Sequence, residues 1–143
     1  MNYVYLLDTN IISELVKPVP NQLVVKKVIE HQGISALSSI GWGECLYGIK
    51  RMPEGKRKQQ ISDFYFNTVQ ANFQFIPFDN HAANIYSDIK ERLEKAGKIS
   101  QELDIQIAAT AIANNVILVT RNISDFENIS SVSSLMIENW FEA

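Results

Sequence analysis

The chain has 143 residues, 46% of them apolar, and a net charge of −3, which is enough apolar material for one ordinary core and too little positive charge to coat nucleic acid by bulk attraction. A single cysteine, Cys45, and two histidines, His31 and His81, exclude a disulfide framework and a structural zinc site. No apolar run approaches the roughly 18 residues of a membrane span, no basic segment leads into a short apolar core at the amino terminus, and no Gly-rich phosphate loop is present. The expectation is one domain over residues 1–143, cytoplasmic and without membrane contact.

Tyr3 to Leu7 is an unbroken aromatic, β-branched and aliphatic run, the pattern of a strand buried on both faces of a parallel sheet. Asp8, Thr9 and Asn10 follow, then a helical segment over Ile11–Val16 that Lys17, Pro18 and Pro20 stop. Asp8 therefore stands at the carboxyl end of a strand, where open α/β sheets gather ligands. It also suits the simpler role of capping the next helix.

Asn21 suits the cap of a helix running to about Gln32, with Gly33 as its end and Ile34–Leu37 as a short strand. Ser38 or Ser39 then caps a helix over Ile40–Met52, closed before Pro53. On that helix Trp42, Cys45, Leu46 and Ile49 form one side, while Ile40, Glu44, Tyr47 and Arg51 lie nearly opposite. By its position alone, Glu44 reads as a solvent-facing helix glutamate. Lys50, Arg51, Lys56, Arg57 and Lys58 form the one concentrated positive region. They read either as a solvated helix start or as contacts to phosphate.

A helix carrying Ile61, Phe64, Tyr65, Thr68 and Val69 follows, then a strand over Phe73–Phe78. Asp79 reads as the cap of the next helix, which Gly97 ends. Ser100 opens another, with an apolar stripe of Leu103, Ile107, Ala108, Ala111 and Ile112. Asp104 points along that stripe, where a charge is costly unless it is paired, capped or bound to a cation. Val116–Thr120 is a second fully apolar strand run, and Thr120, Arg121, Asn122, Ser124 and Asp125 repeat the polar exit seen at Asp8. Asp125 alone is a turn residue, with Phe126 anchoring its loop. Ile129–Ile137 holds a weak final strand, and Glu138–Ala143 is a short tail with Trp140 and Phe141.

Alternating strands and helices without internal repeats predict a three-layer α/β/α sandwich around a mostly parallel sheet. If the two apolar strands are neighbours, Asp8 and Asp125 emerge at one edge and Asp104 approaches from the helix before the second strand. Carboxylates gathered that closely repel one another and raise each other's pKa values unless a cation lies among them. Hard oxygen donors point to Mg²⁺ or Mn²⁺, and such sites commonly act on phosphodiesters.

The chain resembles PIN-domain ribonucleases, and in particular the VapC-type toxins of bacterial toxin–antitoxin pairs, including the FitB-like branch. The resemblance rests on Leu7-Asp8-Thr9-Asn10-Ile11-Ile12-Ser13, on Gly43-Glu44-Cys45-Leu46-Tyr47-Gly48-Ile49, on Asp104-Ile105-Gln106-Ile107-Ala108-Ala109-Thr110-Ala111, and on Leu118-Val119-Thr120-Arg121-Asn122-Ile123-Ser124-Asp125-Phe126. It implies metal-dependent cleavage of RNA, with Asp8 and Asp104 as the principal Mg²⁺ ligands, Glu44 completing the acidic pocket, and Asp125 at the family's fourth and most variable acidic position. Asn10, Thr120 and Asn122 would give polar support to ligands or water. The resemblance reverses the positional reading of Glu44 by turning it toward the pocket. It further implies a homodimer and a cognate VapB-type antitoxin that fills the pocket, often with a basic side chain.

Two other readings compete. A phosphotransferase with Asp8 as nucleophile would want a second aspartate two positions on, where Asn10 stands, and a lysine where Thr120-Arg121-Asn122 stands. A catalytically silent PIN-like domain that binds nucleic acid or protein would be expected to have replaced some of the four acids, and all four are present.

Overall fold

A computed structural model describes residues 2–142. Five strands form one sheet in the order β3-β2-β1-β4-β5, with β1 at Tyr5–Leu7, β2 at Ser35–Ser38, β3 at Gln74–Ile76, β4 at Ile117–Val119 and β5 at Ile137–Glu138. Every pairing is parallel, so each connection must cross a face of the sheet. The helices are α1 (Thr9–Leu15), α2 (Gln22–His31), α3 (Ser39–Arg51), α4 (Lys56–Phe64), α5 (Gln70–Asn72), α6 (Asn80–Lys95), α7 (Glu102–Ala113) and α8 (Glu127–Ser131), with a π turn at Tyr65–Val69 joining α4 to α5.

Side-chain alternation along the strands divides the core in two. Leu6, Ala36 and Leu118 face α6, α7 and α8, where Ile89, Leu93, Ile107 and Phe126 pack. Leu7, Leu37 and Val119 face the other way, toward Ile11, Ile12, Val24, Val28, Ile49, Tyr65 and Trp140. The result is the expected three-layer α/β/α sandwich. Among the described residues, no helix is long and apolar enough to cross a membrane.

The predicted caps are present. Asn21 Oδ1 accepts from the Leu23 and Val24 amides, Ser38 Oγ from Gly41, and Asp79 Oδ1 from Ala82. Gly97 ends α6 in the left-handed region, with φ of 67°, as helix stops favour.

Three expectations need correction. The weak final strand expected within Ile129–Ile137 forms only at its end, as β5 at Ile137 and Glu138, while Ile129 is buried within α8, because Ile129 and Val132 share a helical spacing that turns both onto the α6 and α7 side. The helix after Ser100 begins at Glu102, preceded by Gln101 without a side-chain cap. Leu103 is 40% exposed rather than part of a buried stripe, while Ile105, Ile107, Ala108, Ala109 and Ala111 are all buried. Beyond its first turn α7 thus lies under protein on most sides.

Candidate active site

The sheet register places the polar exits of β1, β2 and β4 side by side. Leu7 pairs with Leu37 on one side and Val119 on the other, so Asp8, Ser38 and Thr120 follow in adjacent strands at the same rim. The Asp8 amide still donates to the Val119 carbonyl at 2.9 Å. Its backbone is extended, and its Oδ1 accepts from the Thr9 amide at 2.8 Å. Asp8 is therefore both the cap of α1 and a carboxylate at the rim.

The other carboxylate oxygen is held by two side chains. Thr120 Oγ1 donates to Asp8 Oδ2 at 2.9 Å and Asn10 Nδ2 donates to the same oxygen at 3.2 Å. Asn10 Nδ2 also reaches Thr120 Oγ1 at 3.1 Å, and Asn10 Oδ1 accepts from the Arg121 amide at 3.1 Å. The Asn122 amide completes the group by donating to Thr120 Oγ1 at 3.1 Å; this backbone group, and not the Asn122 side chain, is the contact seen. Thr120 is fully buried and Asp8 is 9% exposed. A network with its members satisfied in this way fixes side-chain orientation more firmly than isolated bonds do.

Three acids share the electric field of this rim. Burial raises the Asp8 carboxyl above the usual range, its hydrogen bonds to Thr120, Thr9 and Asn10 oppose that rise, and the charge of Asp125 adds to it. Asp104, in the first turn of α7, is pushed up to about 6 by burial and then by the charges of Asp8 and Asp125. Asp125 is exposed on a 3₁₀ turn over Ile123–Phe126 that the buried Phe126 pins to the core.

Glu44 occupies a different wall. It is exposed on α3 and, with Thr9, Ser13, Cys45, Met52 and Tyr65, lines an open cavity of about 320 Å³ between α1, α3 and α4. Cys45 sits between the two walls: burial pushes its thiol up to about 12, with the charges of Asp8 and Glu44 adding to the effect. Glu44 faces solvent, as its position on the helix suggests, and the concavity that it borders includes Thr9 but none of Asp8, Asp104 and Asp125. Gly41 leaves room for the Ser38 cap, because a Cβ there would lie 3.1 Å from Ser38 Oγ, and it would just touch α1 at 3.4 Å from Thr9 Cγ2.

Asp8, Asp104 and Asp125 are thus brought within electrostatic reach of one another, whereas Glu44 lines the separate concavity with Thr9 and Cys45. Among the described residues, no three Asp, Glu, His or Cys side chains stand close enough to hold an ion together. The donors are all hard carboxylate oxygens, and two of the acids are destabilised as anions by burial and by their neighbours. That donor chemistry fits a small divalent cation such as Mg²⁺ or Mn²⁺.

The basic cluster is divided. Arg57 donates to the Val16 carbonyl and so ties the start of α4 to the end of α1, while Lys58 pairs with Glu54 in the loop before α4 at 2.6 Å. Lys50, Arg51 and Lys56 are exposed. The sequence reading passed over Cys45 and Ser13 as pocket residues, and only their place on the faces of α3 and α1 hinted at it.

The sequence profile of the PIN domain matches residues 5–131. A VapC ribonuclease, Y4jK, of Sinorhizobium fredii is 36% identical over 125 residues, covering 85% of this chain and 89% of that one. Ribonuclease VapC2 of Haemophilus influenzae is 34% identical over 137 residues, covering 95% and 97%. Among solved structures, FitAcB from Neisseria gonorrhoeae superposes with a TM-score of 0.88 at 29% identity, over 98% of this chain and all of that one. VapBC2 from Rickettsia felis, bound to a DNA fragment from its promoter, superposes with a TM-score of 0.79 at 27% identity, over 96% and 98%.

Proposed function

This chain belongs to the PIN-domain family, with VapC-type proteins among its relatives, and we propose from that premise that it is an endoribonuclease that hydrolyses RNA phosphodiester bonds with Mg²⁺ as cofactor. The observation that carries the reading is the buried Asp8 at the carboxyl end of β1, held by Thr120 and Asn10 and electrostatically coupled to Asp104 and Asp125.

Asp8 and Asp104 are the residues that would hold the ion, with Asp125 beside them and Glu44 on the neighbouring wall. When bound, a divalent cation neutralises the acids, polarises the scissile phosphate and makes a water more acidic. The chain's own contribution is positional. Thr120 and Asn10 clamp Asp8 Oδ2, and the Thr9 amide clamps Oδ1, so the carboxylate need not reorganise when charge develops nearby. Lys50, Arg51 and Lys56 supply the positive charge that an acidic rim lacks for attracting a polyanion.

The relatives named VapC and FitB, and the solved VapBC and FitAcB assemblies, support a role as the toxin of a toxin–antitoxin pair, and the cytoplasm is the location proposed with it. A VapB-type antitoxin and a second copy of this chain are the partners proposed with it.

The test is RNA cleavage by purified protein with Mg²⁺, with Mn²⁺ and with EDTA, alongside Asp8→Asn and Asp104→Asn. Cleavage is expected with either metal and lost in EDTA and in both variants. Cleavage that persists in EDTA, or at the parental rate in either variant, would sink the assignment.

A further inference from the structure

One face of α3 is left free of the core and leads away from the rim. Trp42, Cys45, Leu46 and Ile49 pack against the sheet, which leaves Glu44, Tyr47 and Arg51 at helical spacing on the opposite side. Tyr47 is 58% exposed, a large aromatic side chain in water one turn from Glu44. The Arg51 guanidinium lies over its ring, 5.5 Å from the centroid. Lys50, exposed in the last turn of α3, adjoins this face, and the exposed Lys56 opens α4 just beyond the loop that follows.

We propose that Tyr47 and Arg51 form a stacking platform for an unpaired base of single-stranded RNA, placed beside the scissile bond by the continuity of this helix face with Glu44. The inference rests on the ribonuclease reading and names the strand form of its substrate. An exposed tyrosine and a guanidinium present flat, polarisable surfaces to any base, and neighbouring lysines meet the phosphates between bases. The charge is complementary to a polyanion, whereas the acidic rim alone is not. Glu44 to Arg51 spans about 10 Å of helix axis, so the platform lies within a short length of RNA from the concavity that Glu44 lines together with Thr9, the neighbour of Asp8. A duplex offers no base face to such a platform, because its bases are already stacked.

The experiment measures binding of a fluorescein-labelled, unstructured RNA 12-mer and of the matching duplex by anisotropy, in the Asp8→Asn background so that the RNA stays whole. Tyr47→Ala is expected to raise the Kd for the single strand roughly tenfold and to leave the duplex Kd almost unchanged, while Tyr47→Trp restores single-strand binding. In the Asp8-containing protein the same loss should fall on KM.

Equal losses on single strand and duplex, or no loss on the single strand, would overturn the platform. So would a change of solution mass in Tyr47→Ala with RNA binding intact, which would assign this face to a protein contact. If the Asp8-containing protein cuts no RNA but the Tyr47 dependence of single-strand binding appears, the ribonuclease reading fails and the platform stands. If RNA is cut and that dependence is absent, the platform fails alone. If no RNA is bound at all, both fail.

Discussion

The Thr120 hydroxyl donates a 2.9 Å hydrogen bond to Asp8 Oδ2 across 112 residues of sequence. The contact exists because β1 and β4 are parallel neighbours in register, Leu7 beside Val119, so the first polar residue beyond each strand meets the other. The same hydroxyl accepts from Asn10 Nδ2 and from the Asn122 amide. Replacing Thr120 by valine keeps the shape and removes all three bonds. Thr120→Val is expected to lower stability by about 2 kcal/mol, since buried donors and acceptors lose their partners, and to slow RNA cleavage more than tenfold. Urea denaturation and initial-rate measurements read the two effects; a variant as stable and as active as the parent would remove Thr120 from the site.

Asp104 carries the opposite sign. Its carboxyl is raised to about 6 in the folded protein, above its unfolded value, so its ionised form costs folding energy. That cost is absent in acid below the unfolded value and fully present above about pH 6. Asp104→Asn, measured in EDTA, is therefore expected to stabilise the protein at pH 7.5 by roughly 1–2 kcal/mol, below the ~3 kcal/mol that a shift of about two units would give. The gain should vanish near pH 4. Equal stability of variant and parent at pH 7.5 would show that repulsion and burial do not strain this acid.

Glu14 behaves as a stabilising carboxylate. Its side chain is 6% exposed, it pairs with Lys17 at 2.8 Å and accepts from the Asn21 amide at 2.8 Å. The hydrogen bond from Lys17, then that from the Asn21 amide, holds its carboxyl below the ordinary range. A depressed value means that the stabilisation is fully present above the unfolded carboxylate value and is lost as pH falls through the lower, folded one. Glu14→Gln is expected to cost on the order of 1 kcal/mol at pH 7, with the two stability curves converging in acid. Parallel curves down to pH 2 would show that the charge contributes nothing.

Trp140, 1% exposed, closes the core face beneath β1. Its ring stands edge-on to Tyr5 at 5.1 Å and its Nε1 donates to Glu138 Oε1 at 3.1 Å. Trp140→Ala is expected to cost about 3–5 kcal/mol, seen as a large fall in the urea midpoint. A cost below about 1 kcal/mol would mean that the last residues fold onto the domain without supporting it.

The parts that could be read in advance were those where one local signal sufficed. Tyr3–Leu7 and Val116–Thr120 announced buried strands because both faces are covered, although only Tyr5–Leu7 and Ile117–Val119 pair as such. Caps at Asn21, Ser38 and Asp79 depend on neighbouring amides alone. The Asn10 hub was different, since its partners Thr120 and Arg121 lie more than a hundred residues away and only the order β3-β2-β1-β4-β5 brings them near. Helix α7 misled for another reason: buried nearly all round beyond Ile105, it has no single stripe from which the direction of Asp104 could be read. Glu44 divided the two readings because a helix face can be solvated and still border a cavity.

The strand order has a consequence for synthesis. On the ribosome Asp104, Thr120 and the whole of β4 are made long after Asp8, Thr120 by 112 residues. A nascent chain that has not reached Ile117–Val119 has a carboxylate at Asp8 with no Thr120 hydroxyl to clamp it and no Asp125 beside it. The acidic rim is therefore assembled only after β4 has been made and paired with β1, so a chain cut short before Ile117 never acquires the Thr120 clamp on Asp8.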